Sequence, residues 1–130
     1  MTAPAAVRIL VVEDNPKNLK LVRDVLQHFG YHVFAATTGE DGVRMAREVS
    51  PDLILMDLQL PGIDGTEALR RIRAETATRP VPAVAVTAFA MPEDRRRAYD
   101  SGFDGYVEKP ISVRSLPQQV QDFLTLGGVT

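Results

Sequence analysis

Five short apolar runs, each unbroken and most rich in β-branched residues, constrain this chain more than any other feature of it. They are Ile9-Leu10-Val11-Val12, Val33-Phe34-Ala35-Ala36, Leu53-Ile54-Leu55-Met56, Ala83-Val84-Ala85-Val86 and the weaker Tyr106-Val107. A strand with one wet face alternates apolar and polar residues, whereas a continuous run suits a strand covered on both faces, as in a parallel sheet. Parallel neighbours need crossover connections, usually helices. The intervening segments supply them. Leu19, Val22, Leu26 and Phe29 recur at helical spacing with Val25 beside them. Asn15 can cap that helix, Pro16 suits its first position, and Gly30 ends it. Val43, Ala46 and Val49 mark a second helix, stopped by Ser50-Pro51, and Leu69 and Ile72 a third after Gly65. Pro92 to Ser101 reads as a fourth, closed by Gly102, and Leu116, Val120, Phe123 and Leu124 as a fifth. Pro117 would remove an internal N–H if Ser112 capped the fifth; a start at Ser115 puts it in the tolerated first turn.

The alternating order predicts the α/β class: a doubly wound, five-stranded parallel sheet with helices on both faces. The flavodoxin-like order 2-1-3-4-5 is the common five-strand solution. Helices 1 and 5 then share one face, and helices 2, 3 and 4 the other. A chain of 130 residues predicts one domain, here residues 7–126, with an N-terminal tail over 1–6 and a C-terminal tail over 127–130.

Composition removes several functional classes. Fifteen basic against seventeen acidic side chains leave a net charge of −2, so no direct nucleic-acid partner is expected. Without cysteine there is no disulfide, thiolate metal site or cysteine nucleophile. The two histidines, His28 and His32, flank Gly30 and read as surface residues. No stretch approaches the roughly 20 apolar residues of a membrane span, and Met1 to Val7 does not resemble a signal peptide. The expectation is a cytoplasmic protein with no membrane insertion.

The polar residues that interrupt the apolar runs fall in a pattern. Glu13-Asp14 follows the first run, Asp57 the third, Thr87 the fourth and Lys109-Pro110 the fifth. All sit at carboxyl ends of predicted strands, where open α/β sheets bind ligands. Strands 1 and 3 are neighbours in the 2-1-3-4-5 order, so Glu13, Asp14 and Asp57 converge although far apart in sequence. Two like charges about 4 Å apart repel by roughly 4 kcal/mol at an effective dielectric of 20. Lys109 can offset part of this, and a divalent cation more; oxygen-only donors favour Mg²⁺. Taken singly, each residue has an ordinary reading: a turn aspartate, a strand-end threonine, a solvated lysine. Their meeting on one sheet edge is what points to a site. Arg95-Arg96-Arg97 spreads around the fourth helix and reads as a solvated face, or as a basic edge for an acidic partner. Arg70, Arg71 and Arg73 on the third helix read as solvated.

The segments VVEDN (Val11 to Asn15), LILMDLQLPGIDG (Leu53 to Gly65), AVTAFA (Ala85 to Ala90) and GYVEKPIS (Gly105 to Ser112) resemble the receiver domain of bacterial two-component response regulators. The likeness runs from about Val7 to Leu126. It implies that Asp57 accepts a phosphoryl group from a kinase phosphohistidine. It implies that Asp14 is a direct Mg²⁺ ligand, that Glu13 beside it acts through water, and that Gln59 offers its backbone carbonyl. Thr87 matches the hydroxyl that hydrogen-bonds the phosphoryl group, Lys109 the lysine that pairs with it, and Pro110 a proline that often follows a cis bond. Tyr106 matches the aromatic rotamer switch; the alternative for it is a half-buried ring whose hydroxyl stays wet. Glu13 stands where the family more often has aspartate. The resemblance implies a stand-alone receiver that is not an enzyme in the ordinary sense, although it catalyses its own phosphorylation and dephosphorylation. It implies a histidine kinase or histidine phosphotransfer protein as donor. A downstream regulatory protein would be engaged through helix 4, strand 5 and helix 5.

A small magnesium-dependent aspartyl-phosphate phosphatase is the rival reading. Such enzymes resemble this pattern but carry a second aspartate two residues after the nucleophile, where this chain has Gln59. A flavin module would need a Ser/Thr/Gly-rich loop after strand 1, and Glu13-Asp14-Asn15-Pro16 is acidic there.

Overall fold

The computed structural model describes residues 6–75, 81–88 and 91–126. Strands β1 (Arg8–Val12), β2 (His32–Ala36), β3 (Leu53–Asp57), β4 (Ala83–Thr87) and β5 (Gly105–Glu108) alternate with helices α1 (Pro16–His28), α2 (Gly39–Val49), α3 (Gly65–Ala74), α4 (Pro92–Asp100) and α5 (Leu116–Leu126). The strands pair in parallel in the order β2-β1-β3-β4-β5. This is the doubly wound, flavodoxin-like α/β sheet the sequence predicts. Of the expected tails, residues 1–5 and 127–130 lie outside the described residues.

Strand alternation sorts the apolar runs onto two faces. Ile9, Val11, Leu53, Leu55, Val84, Val86 and Val107 pack with Leu19, Val22 and Leu26 of α1 and Leu116, Val120 and Leu124 of α5. Leu10, Val12, Ile54, Met56, Ala83 and Ala85 pack with residues of α2, α3 and α4. Burial on both faces is why β3 and β4 are apolar up to their last residues, Asp57 and Thr87. The rule fails for β2: it is an edge strand, only Ala36 is fully buried, and its other residues are exposed or half-buried.

The helix ends follow their local chemistry. The Asn15 side chain accepts hydrogen bonds from the Lys17 and Asn18 amides at 3.0 and 3.1 Å, and Pro16 occupies the first position of α1. The helix stops at His28, and Gly30 takes a φ of +89° that other residues rarely adopt. Phe29 is therefore the cap rather than part of the apolar stripe, and it is 58% exposed. Helix α5 begins at Leu116, with Ser115 supplying the carbonyl for the Gln119 amide at 3.0 Å; Pro117 lies in the first turn, as expected. Helix α4 has few anchors. Its N-cap Met91 makes no side-chain cap bond, and Ala98 alone of the helix is buried. No helix among the described residues is long and apolar enough to cross a membrane.

Candidate functional site

Sheet register gathers the acidic residues. Val12 of β1 stands opposite Met56 of β3, so the next residues, Glu13 and Asp57, lie side by side at the carboxyl edge. The Glu13 amide donates to the Ala36 carbonyl at 3.0 Å, extending the ladder one residue past the strand. Glu13 and Asp57 are each only 4% exposed. They line a small cavity on the α1/α5 side with Val11, Val22, Leu55 and Val86. Asp14 is exposed, yet it offers an oxygen within 4.8 Å of one from Glu13 and one from Asp57.

Two carboxylates taken out of water need compensation, because an unpaired buried charge costs several kcal/mol. Lys109 provides it. Its Nζ is 2.9 Å from Glu13 Oε1 and 2.7 Å from Asp57 Oδ2. The remaining oxygens also have donors: the Asn15 amide at 3.1 Å from Glu13 Oε2, and the Gln59 amide at 2.9 Å from Asp57 Oδ1. The lysine is placed by the sheet, its own amide donating to the Thr87 carbonyl at 2.9 Å. The Lys109–Pro110 peptide bond is cis. Burial pushes the Glu13 carboxyl above its ordinary value, against the lowering effect of Lys109 and with the added repulsion of Asp57. For Lys109, burial alone lowers the pKa, but the bonds to Asp57 and Glu13 together carry it above its usual value.

Three carboxylates against one ammonium leave uncompensated negative charge. The donors are all oxygens and one of them faces solvent. That set fits a hard divalent cation such as Mg²⁺, which takes one or two carboxylates and keeps several waters. Gln59 lies two residues beyond Asp57 with an exposed side chain.

Thr87 ends β4 and is 1% exposed. Alternation from Ala83 and Ala85 places it on the α4 face, the face of Tyr106, which stands opposite Ala85. Tyr106 is half-buried and packs against that core. Its hydroxyl is buried, with no hydrogen-bond partner among the described residues, so the wet-hydroxyl alternative does not hold. Burial raises the phenol's pKa, with further contributions from Asp94 and Glu108.

Several contributions are not marked in the sequence. Gly65, marked there only as a helix start, is pressed against the end of β3: a Cβ would lie 2.4 Å from the Asp57 carbonyl oxygen and 2.9 Å from Leu58 Cα. The three consecutive arginines differ. All three are exposed, as a solvated face predicts, but Arg95 lies over the Tyr106 ring, 5.4 Å from its centroid, and Arg97 reaches Asp94 at 4.0 Å. On α3, Arg70 and Arg71 are solvated as expected and pair with Glu67, whose carboxyl they hold down at about 2. Arg73 is not merely solvated. It donates to the Val81 carbonyl and to Asp104, tying α3 to the ends of β4 and β5. His28 and His32 are exposed, each beside a phenylalanine ring.

Residues 9–121 match the family model of the response regulator receiver domain. The polar-differentiation response regulator DivK of Brucella ovis is 40% identical over 116 residues, covering 89% of this chain and 94% of that protein. Among solved structures, the receiver domain of a sensor histidine kinase from Pseudomonas aeruginosa has a TM-score of 0.85 at 38% identity, covering 93% of this chain and 99% of that one. It has a magnesium ion coordinated in its active-site cleft. A CheY-like receiver domain protein from Methanospirillum hungatei has a TM-score of 0.86 at 27% identity, over 95% of this chain and 98% of that one.

Proposed function

The chain belongs to the response regulator receiver domain family and is DivK-like, and from that premise we propose that Asp57 accepts a phosphoryl group from a histidine kinase or histidine phosphotransfer protein. The observation that supports this best is the shared lysine: Lys109 spans Glu13 and Asp57 while Asp14 offers a third oxygen within 4.8 Å. A carboxylate oxygen of Asp57 forms the new bond to phosphorus as the bond from phosphorus to the donor imidazole nitrogen breaks, and the electron pair returns to that nitrogen. Such a carboxylate needs no general base. The obstacle is an anion meeting an anion, and the residues answer it by charge and position. Lys109 moves from the Asp57 carboxylate to a phosphoryl oxygen. Thr87 donates its hydroxyl to another. Glu13, Asp14, Asp57 and the Gln59 carbonyl would hold Mg²⁺, which when bound supplies two positive charges against the phosphoryl oxygens. The same groups let the chain catalyse its own phosphorylation and, with water as the attacking group, its dephosphorylation.

The added phosphoryl carries roughly −1.5 to −2 charges. It draws Thr87 toward the phosphoryl oxygens, and Tyr106, on the same face of the sheet, responds. The α4, β5 and α5 surface then changes for a downstream regulatory protein, as a two-state element biased by a local charge. The reading places the protein in the cytoplasm, where such donors reside.

The test is labelling with acetyl phosphate in Mg²⁺. Asp57→Asn abolishes the label, and chelation with EDTA abolishes it in the parent. A fully labelled Asp57→Asn protein overturns the assignment.

A further inference from the structure

We propose that Arg95 is a positioning residue that holds the Tyr106 ring, and with it helix α4, in the arrangement seen here. Three observations meet at this point. The Arg95 guanidinium lies 5.4 Å from the Tyr106 ring centroid, within the range of a cation–π attraction. The Tyr106 hydroxyl is buried with no hydrogen-bond partner among the described residues. Helix α4 buries Ala98 alone and lacks a side-chain cap at its start.

A buried hydroxyl without a partner is unfavourable, since in water it would be hydrogen-bonded. Something must hold it inside. Packing of the ring against the α4 face of the sheet contributes. Arg95 covers the same ring and is the α4 residue that stacks on it. The phase of α4 explains why it is Arg95 that does so. With Ala98 turned to the core, Arg95 lies three residues before it on the same side of the helix. All three arginines are exposed, and Arg95 is the one whose guanidinium lies over the ring. The stacking contact therefore couples two weakly held elements, a helix with one buried side chain and a ring with an unsatisfied hydroxyl. If the contact is lost, the hydroxyl regains water by swinging out, and α4 loses its link to the Tyr106 ring.

This adds to the phosphoacceptor reading a residue that sets how readily the Tyr106 switch moves, and it is testable with no phosphoryl group present. Its failure and the failure of that reading are therefore separable. The probe is 19F NMR of protein carrying 3-fluorotyrosine at its three tyrosines. The Tyr106 signal is assigned with Tyr106→Phe, and exposure is read from the shift between H₂O and D₂O. Tyr99, 50% exposed, serves as the solvated reference within the same molecule. In the parent, the Tyr106 isotope shift is expected near zero. In Arg95→Ala and Arg95→Gln it rises to at least half that of Tyr99. Arg95→Lys, which keeps the cation, returns it at least halfway to the parent value, and Arg96→Ala leaves it unchanged. Far-ultraviolet circular dichroism confirms that each variant is folded. An unchanged Tyr106 signal in folded Arg95→Gln, or an equal change in Arg96→Ala, overturns the proposal.

Discussion

Replacing Asp14 by asparagine removes one charge from the carboxylate group while keeping the side chain's shape. Asp14 lies within 4.8 Å of oxygens from both Glu13 and Asp57. At that separation each pair repels by about 3.5 kcal/mol at an effective dielectric of 20 and by about 0.9 kcal/mol in bulk water. Lys109, held between Glu13 and Asp57, cancels roughly one of the two repulsions felt by Asp14. Asp14 is exposed, so the surviving repulsion belongs near the screened end, about 1–2 kcal/mol. The unfolded chain separates these charges, so the repulsion weighs on the folded state alone. Asp14→Asn is therefore more stable than the parent in EDTA, with a melting temperature higher by about 3–7 °C for a domain of this size. The order narrows or reverses with magnesium, because a ligand stabilises the folded state more the tighter it binds, and the variant offers a neutral oxygen in place of an anionic one. The assay is thermal unfolding by circular dichroism at low salt, in EDTA and over a magnesium series. Added sodium chloride should shrink the difference in EDTA. A variant no more stable than the parent in EDTA, or one that keeps the parent's full response to magnesium, would refute the reasoning.

Lys109→Met leaves Glu13 and Asp57 buried without their cation; metal-free stability should fall by about 3 kcal/mol in urea unfolding. Burial already holds Glu13 above its ordinary value, and losing the lysine raises it further. The folded state then binds a proton more readily than the unfolded one, so the deficit narrows as pH falls toward 5 and widens above it; a pH-independent deficit counts against the bridge. Gly65→Ala puts a methyl group against the Asp57 carbonyl and should cost about 1–3 kcal/mol while slowing acetyl phosphate labelling; unchanged labelling would show that the loop yields freely. Leu26→Ala, at a residue with no exposed surface, should cost about 2–5 kcal/mol, whereas Phe29→Ser should stay within about 0.5 kcal/mol. Equal losses in those two would mean that Phe29 does pack with the α1 stripe.

What the sequence disclosed and what it withheld divide along a physical line. Periodicity reports burial averaged over an element, and that sufficed to place the strands and helices; the strand order and the partition of helices between faces came from the common five-strand solution. The two lapses lie at element ends and edges, where the average breaks down. Phe29 has the correct spacing but falls just past the last helical turn, and β2 is apolar although one of its sides lies open. The site was legible for a related reason. Polar residues that stop four of the five apolar runs must sit at the ends of strands, and parallel pairing puts those ends on one edge. The details that give the edge its chemistry depend on register and helix phase. Nothing in Glu13 or Asp57 announces that one lysine spans both, since that follows from Val12 meeting Met56 and from Lys109 following Thr87's ladder partner, Glu108. Nothing in Arg95-Arg96-Arg97 says which of these three exposed arginines lies over the Tyr106 ring. That choice is made by Ala98 alone, the one residue of α4 turned inward, and moving the helix by one position would hand the Tyr106 contact to a different arginine or to none.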